Sequence, residues 1–283
     1  MTPQFNKIAV IDFGYGEEFY QALQILSRAQ IEIIEAGNTE GDVGADALVC
    51  SWKDALGRDH LERFPNLSYI ATRATSTSNI DLEYATEHNI PVDTIAGYGD
   101  QATAEFVLQQ LFATARNQGR ELCGKTVGFL GFGNVPKLIS EPLKALGTKT
   151  CYYTPSEEQT QRLRQNVPYV SKAQLLQSDF VSVHTPARII SLSKAELLSI
   201  SPETGLVITT MGLPFEEETF RMWKREASNL VVMDKVAAGD LDFSDLQGVA
   251  VIDVYAARTV ESKREAERQI LKNIRVQLTQ EIS

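Results

Sequence analysis

The chain has 283 residues, 43% of them hydrophobic, enough for two ordinary domains with separate cores and far from the composition of a disordered chain. Lys and Arg number 27 against 37 Asp and Glu, giving a formal charge of −10 that repels phosphate backbones and anionic lipid. Nucleic acid and membrane surfaces are therefore excluded as expected partners. Cys50, Cys123 and Cys151 have no CxxC spacing, and His60, His88 and His184 show no ligand spacing, so reduced thiols and no metal site are expected. The first residues lack a basic segment followed by an apolar leader, and no window is apolar for the length of a membrane span. A soluble, cytoplasmic protein is expected.

In chain order, residues 7–12 form a short apolar run, a predicted strand, and 17–30 a predicted helix with Phe19, Leu23, Leu26 and Ala29 on one face. Strands are predicted at 31–36, 45–50, 67–72 and 90–95, with a helix at 81–88. Strands recurring between helices argue βαβ units on a parallel sheet. In 100–117, Ala104, Val107, Leu108, Leu111, Phe112 and Ala115 make a helical apolar stripe. A second alternation follows, with strands predicted at 125–130, 149–153, 180–183, 205–210, 230–233 and 248–253, and it describes a doubly wound sheet. The last segment, 260–279, is an amphipathic helix with Ala266, Ile270, Ile274 and Leu278 spaced by four, Thr259 as N-cap and Glu261 at the positive end of the dipole.

The strongest local signal is Gly131-Phe-Gly133-Asn134-Val135-Pro136, placed between the apolar run 127–130 and a helical stretch predicted over 137–146. Strand, glycine turn and helix in this order form a pyrophosphate site: the first glycine makes the turn, the second allows close backbone approach, and the helix N-terminus meets the anion. Pro136 occupies the third glycine position. About 20 residues on, an acid normally binds the ribose hydroxyls; here Thr154 takes that place, and the choice between NAD and NADP stays open.

With these residues the sequence resembles the D-isomer-specific 2-hydroxyacid dehydrogenases. Gly124-Lys-Thr-Val-Gly-Phe-Leu-Gly-Phe-Gly-Asn134 looks like the family's cofactor-domain opening, Ser78-Asn-Ile-Asp-Leu82 like a substrate-domain loop, Ala104-Glu105 like part of its interdomain helix, Ser178-Asp-Phe-Val-Ser-Val-His-Thr-Pro186 like its nicotinamide-side strand, and 259–278 like its C-terminal helix. The resemblance implies two Rossmann-like α/β domains. One is flavodoxin-like and substrate-type, over 1–98 plus 259–283; the other is a doubly wound NAD(P)-binding domain over 99–258. It further implies that Gly131, Gly133, Asn134, Val135, Thr154, His184, Thr185, Pro186, Thr210, Met211 and Asp234 hold the dinucleotide.

The family uses an arginine for the substrate carboxylate, a histidine for the hydroxyl proton and an acid that orients the histidine. Those positions carry Met211, Val254, and either Gly239 or Asp240. In place of the family's glycine-rich substrate turn stands Arg73-Ala-Thr75-Ser76-Thr-Ser78, so Arg73, Thr75 and Ser76 are the substrate candidates, with Arg73, His184 and Asp240 the candidates for chemistry. Alternatively, Arg73 pairs a nearby acid and His184 is structural. Three functions follow: hydride transfer between a nicotinamide cofactor and a small hydroxy or keto compound, a non-catalytic dinucleotide-binding sensor or scaffold, or another reaction in the same cleft. Only 118–123 separates the 100–117 helix from the cofactor strand, so the family's dimer arm is missing, and either a monomer or a homodimer through that helix is expected.

Overall fold

A computed structural model describes residues 5–11, 13–35, 44–155 and 167–279. Asp12 and Ala36, the last residues of two expected strands, lie outside the described residues. The chain divides into two compact units, 1–98 with 260–283, and 99–259.

In the first unit, β1 (Lys7–Ile11), β2 (Gln30–Ile34), β3 (Ala47–Ser51), β4 (Tyr69–Arg73) and β5 (Val92–Asp93) form a parallel sheet in the order β2-β1-β3-β4-β5, the flavodoxin order. The helices are α1 (Glu17–Ser27), α2 (Arg58–Leu61), α3 (Leu82–Glu87) and the C-terminal α10 (Val260–Thr279). Side chains alternate across a strand, and both faces of a parallel sheet must be covered, which explains the near-continuous apolar strands. Ile8, Val10, Val49 and Ala71 pack on Phe19 and Leu23 of α1 and on Ala266, Ile270 and Ile274 of α10. The opposite set, Ala9, Leu48, Cys50 and Ile70, meets Leu61, Tyr84 and Ala85.

Two expected boundaries shift for local reasons. Helix α1 stops at Ser27 and not at residue 30, because Arg28 adopts φ 57° and closes the helix with its N–H on the Gln24 carbonyl. Strand β5 keeps only Val92 and Asp93 of the expected 90–95. Beyond it the Ile95 N–H turns to the Ala74 carbonyl, and Asn273 Nδ2 of α10 takes the Thr94 carbonyl at 3.0 Å.

The second unit comprises α4 (Asp100–Asn117), β6 (Thr126–Leu130), α5 (Asn134–Ala145), β7 (Lys149–Tyr153), α6 (Lys172–Leu175), β8 (Phe180–Val183), α7 (Lys194–Ser199), β9 (Gly205–Ile208), α8 (Glu217–Glu226), β10 (Val231–Asp234), α9 (Lys235–Ala238) and β11 (Val249–Ile252). Its parallel sheet runs β11-β10-β9-β8-β6-β7, so the order reverses at β6, between β7 and β8. One face packs Val127, Phe129, Phe180 and Val207 on Val107 and Leu111 of α4 and Ile139 and Leu143 of α5. The other packs Val181, Val183, Leu206 and Met233 on Leu175, Leu197, Phe220 and Trp223. The buried face of α4 is rotated from the expected stripe: Phe112 is 47% exposed, whereas Phe106, Gln110 and Thr114 are buried. Helix α5 starts at Asn134 and not at residue 137, since the chain enters the helix directly from Gly133.

The short 118–123 link is fixed to the second unit. Arg120 binds the Asp179 carboxylate and, through Nη1 at 2.9 Å, the Glu203 carbonyl, with its guanidinium 5.3 Å from the Phe180 ring centroid. Among the described residues no helix is long and apolar enough to cross a membrane.

The fold makes α10 part of the first core despite its distance along the chain. Ile270→Ala, at a site with no solvent exposure, is expected to lower unfolding free energy by about 2–5 kcal/mol in denaturant titration. A change below about 0.5 kcal/mol, the range of surface substitutions, would place α10 outside that core.

Candidate functional site

The turn from β6 to α5 is set by one close approach. Leu130 pairs with Val183 in the parallel ladder, and the His184 N–H reaches the Leu130 carbonyl at 2.7 Å. Gly131 then crosses the end of β8 with φ 90°, and a Cβ there would lie 2.4 Å from the His184 carbonyl oxygen. Only glycine fits that contact and that conformation. Gly133 differs. Its φ of −87° suits any residue, and a Cβ would meet nothing within 4 Å. No described residue calls for glycine there; among the described residues, open space lies over its backbone at the N-terminus of α5.

The first-turn N–H groups of a helix have no acceptor within it. In α5 these belong to Gly133, Asn134 and Val135, while Pro136 brings none, so the turn offers three donors and the positive end of a dipole to an anion. Asn134 is held by its side chain, with Nδ2 2.9 Å from Asp100 Oδ2, and Val135 packs on the α4–α5 core.

A cavity of about 710 Å³ opens over this turn. It brings together Gly131, Gly133, Thr154, His184, Thr185 and Pro186 from the sequence candidates. It also recruits Lys172, Ile189, Ile190, Ser191, Ser193 and Glu196, which sequence reasoning missed; the one available signal was the capping-box spacing Ser193-x-x-Glu196. Thr154 is buried at the end of β7. His184 Nε2 lies 2.8 Å from Ser182 Oγ, and burial pushes its pKa down to about 3, so the imidazole is neutral near pH 7. Lys172 Nζ meets Glu196 Oε1 at 2.6 Å, and Glu196 Oε2 accepts from Ser193 N and Oγ. Burial raises the Glu196 carboxyl, but the Lys172 and Ser193 donors outweigh it and hold it below the usual glutamate range.

The other cofactor candidates do not line this cavity. Thr210 donates its hydroxyl to the Gly212 carbonyl at 2.7 Å. The Met211 carbonyl accepts from the Arg188 N–H at 2.9 Å. Asp234 is buried and caps α9, accepting from Ala237 N at 2.9 Å and Ala256 N at 3.0 Å; burial pushes its carboxyl up against those backbone donors. Of the residues that the sequence resemblance sets at catalytic positions, Val254 is 46% exposed and Asp240 is exposed. No group of His, Cys, Asp and Glu among the described residues could hold a metal ion.

In the first unit, Arg73 ends β4 and is only 4% exposed. Its guanidinium carbon lies 5.4 Å from the ring centroids of both Phe13 and Tyr15. Nη1 is buried with no hydrogen-bond partner, and no acid pairs with it among the described residues. Burying a cation in this state is expensive, and ring faces offset part of that. Thr75 and Ser76 are exposed, and Ser76 Oγ lies 3.3 Å from Ser78 Oγ.

Two parallel α/β units, one in flavodoxin order and one doubly wound with a glycine turn at its switch point, define the Rossmann-like class of two-domain dehydrogenases. The chain matches the family model for the D-isomer specific 2-hydroxyacid dehydrogenase catalytic domain over residues 18–282, and it belongs to that family. It is 29% identical over 204 residues to glyoxylate reductase of Thermococcus litoralis, the match covering 59% of this chain and 62% of that protein. Among solved structures it is similar to an acyclic imino acid reductase in complex with NADPH and D-arginine (TM-score 0.83, 21% identity, 97% of each chain). It is also similar to NAD+-bound 3-phosphoglycerate dehydrogenase of Entamoeba histolytica (TM-score 0.81, 19% identity, 97% of this chain and 95% of that one).

The neutral imidazole carries a pH signature. The folded pKa of His184, about 3, lies below the ordinary 6.5, so the unfolded chain takes up a proton that the folded one refuses. Stability is therefore full above about pH 6.5 and is lost as pH falls toward 3, with a slope of at most about 1.4 kcal/mol per pH unit from this group. His184→Gln should remove that component. Urea titrations of both proteins across this window with identical slopes would overturn the assignment.

Proposed function

We propose that the chain is a nicotinamide-dependent oxidoreductase that binds NAD or NADP in its 99–258 domain and acts by hydride transfer on a small hydroxy, keto or imino compound, with little capacity for ordinary 2-keto acids. The observation that carries the reading is Gly133, a glycine at a helix N-terminus where a Cβ would meet none of the described residues within 4 Å. A pyrophosphate needs such a face for close backbone approach. The three first-turn N–H groups of 133–135 would hold it, and the buried Thr154 hydroxyl would lie at the ribose. Bound, the dinucleotide supplies or takes up the hydride.

The substrate-type domain, 1–98 plus 259–283, offers Arg73. A buried guanidinium nitrogen without a partner is suited to an anionic substrate group, since a charge-assisted bond then offsets its desolvation. Proton delivery is the weak point. Val254 has no proton to give, Asp240 has no imidazole to orient, and a neutral His184 is a poor acid. Met211 cannot form the bidentate pair that positions a carboxylate. Fold alone does not choose the substrate. An iminium carbon accepts hydride without a proton donor, so imines belong beside keto acids and aldehydes in any assay. The reading places the protein in the cytoplasm, as a monomer or a dimer built through α4.

Gly133→Val should abolish binding of NADH and NADPH in calorimetry with the melting temperature retained; unchanged affinity would rule the site out. Turnover of pyruvate, glyoxylate or hydroxypyruvate with either reduced cofactor should fall short of ordinary family rates by about 100-fold or more, the contribution of a positioned general acid. Robust turnover that survives Arg73→Ala and His184→Ala would return the plain keto-acid dehydrogenase reading.

A further inference from the structure

The cavity over the β6–α5 turn has one wall that the dinucleotide fingerprint does not account for. Strand β7 is the last named strand of its sheet, yet the backbone beyond it is paired: Tyr152 and Tyr169 form a parallel bridge, with Tyr152 N on the Pro168 carbonyl and Val170 N on the Tyr152 carbonyl, both at 2.9 Å. The bridge brings the segment leading into α6 alongside β7, and Lys172, the first residue of α6, lines the same cavity as Tyr153, Thr154 and Pro155. The cavity thus holds a cation as well as the strand end where an acid would bind the adenosine ribose of NAD.

Among the described residues of this corner, Thr154 supplies no negative charge to repel a phosphate, while Glu157 and Glu158 of the following segment lie outside the described residues. Glu196 is the acid of the described cavity wall, and both its oxygens are engaged, Oε1 by Lys172 and Oε2 by Ser193 N and Oγ. The Lys172 ammonium has three N–H groups, of which Glu196 takes one, and its side chain is only 22% exposed. Glu196 thus pins a charged, half-sheltered ammonium and leaves it donors to spare.

We propose that Lys172 is the counter-ion of a 2′-phosphate, so that the site prefers NADP to NAD. The proposal rests on the dinucleotide reading above and adds to it the phosphate state and the residue that selects it. The preference comes from charge-assisted bonding to a phosphate that NAD lacks.

Calorimetry or nucleotide fluorescence with NADPH and NADH, on the wild-type protein and on Lys172→Met, tests it without any assay of activity. The wild type should bind NADPH about tenfold or more tighter than NADH, a difference of roughly 1.4 kcal/mol. Lys172→Met should erase that difference while changing NADH affinity by less than about twofold, and Lys172→Arg should retain it, since either cation serves a phosphate. Equal or tighter binding of NADH by the wild type, or an unchanged ratio in Lys172→Met, overturns the proposal and leaves the dinucleotide site standing. Failure of the wild type to bind either nucleotide overturns the dinucleotide reading itself. Should Lys172→Met not fold, wild-type affinities at rising salt decide: NADPH affinity must fall more steeply than NADH affinity, and parallel lines sink the idea.

Discussion

The second unit depends on a contact that contains no side chain, the Gly131 backbone against the His184 carbonyl. Parallel strands all leave the sheet at the same edge, so the loops after β6 and β8 compete for one small volume. Their crossing is resolved by φ 90° at Gly131, with its N–H on the Tyr153 carbonyl at 2.8 Å. This sends the chain into α5 three residues later, with the first-turn N–H groups of that helix beyond the end of β6. The same crossing holds the His184 backbone on Leu130, from which its imidazole reaches Ser182 on its own strand. Helix N-terminus, half-buried histidine and cavity are consequences of one packing decision.

How much of this the sequence showed can be judged residue by residue. Helix α4 and strands β7 and β8 are read correctly to the residue, because apolar period and flanking polar breaks agree there. Period says nothing about how a helix ends: Arg28 closes α1 from a left-handed conformation with no glycine to announce it. It also does not say how far a helix face is covered, and so Phe112 counted as core while Gln110 did not. At the site, the glycines were legible because their spacing is a backbone requirement. Thr210 and Asp234 stand at strand ends as polar candidates do, but their polar atoms are consumed by Gly212, Ala237 and Ala256. Lys172 and Glu196 meet from the first turns of α6 and α7, and no local pattern marks that pairing.

The chain is acidic overall, which makes its sheltered cations informative. Lys224 is 3% exposed, and burial pushes its pKa down, yet Nζ lies 2.8 Å from the Ala227 carbonyl at the C-terminal end of α8, where a helix dipole favours positive charge. That lysine has a structural explanation. Lys172 has half of one, in Glu196. Among the described residues Arg73, at the end of β4, has ring faces, and its buried Nη1 has no partner. The three form a series in which less and less of the charge is answered by the described residues.

On the proposed reading, Met211, Val254 and the residue at 239 or 240 amount to one chemical change and not three. A ketone that accepts hydride becomes an alkoxide, which in a water-poor site must receive a proton as it forms; without an acid at position 254 the barrier keeps the full energy of that charge. On that reading an acid at 239 or 240 has no histidine to orient, and Met211 offers no fixed cation, while Arg73 lies in the first unit. A substrate whose reacting carbon is already part of a cation behaves differently, because hydride neutralises charge instead of creating it, and a nearby arginine at 211 would then be repulsive. On the same reading Val254 and Met211 disfavour neutral carbonyl substrates more strongly than cationic ones, while the second unit has the glycine turn and helix N-terminus proposed for the dinucleotide.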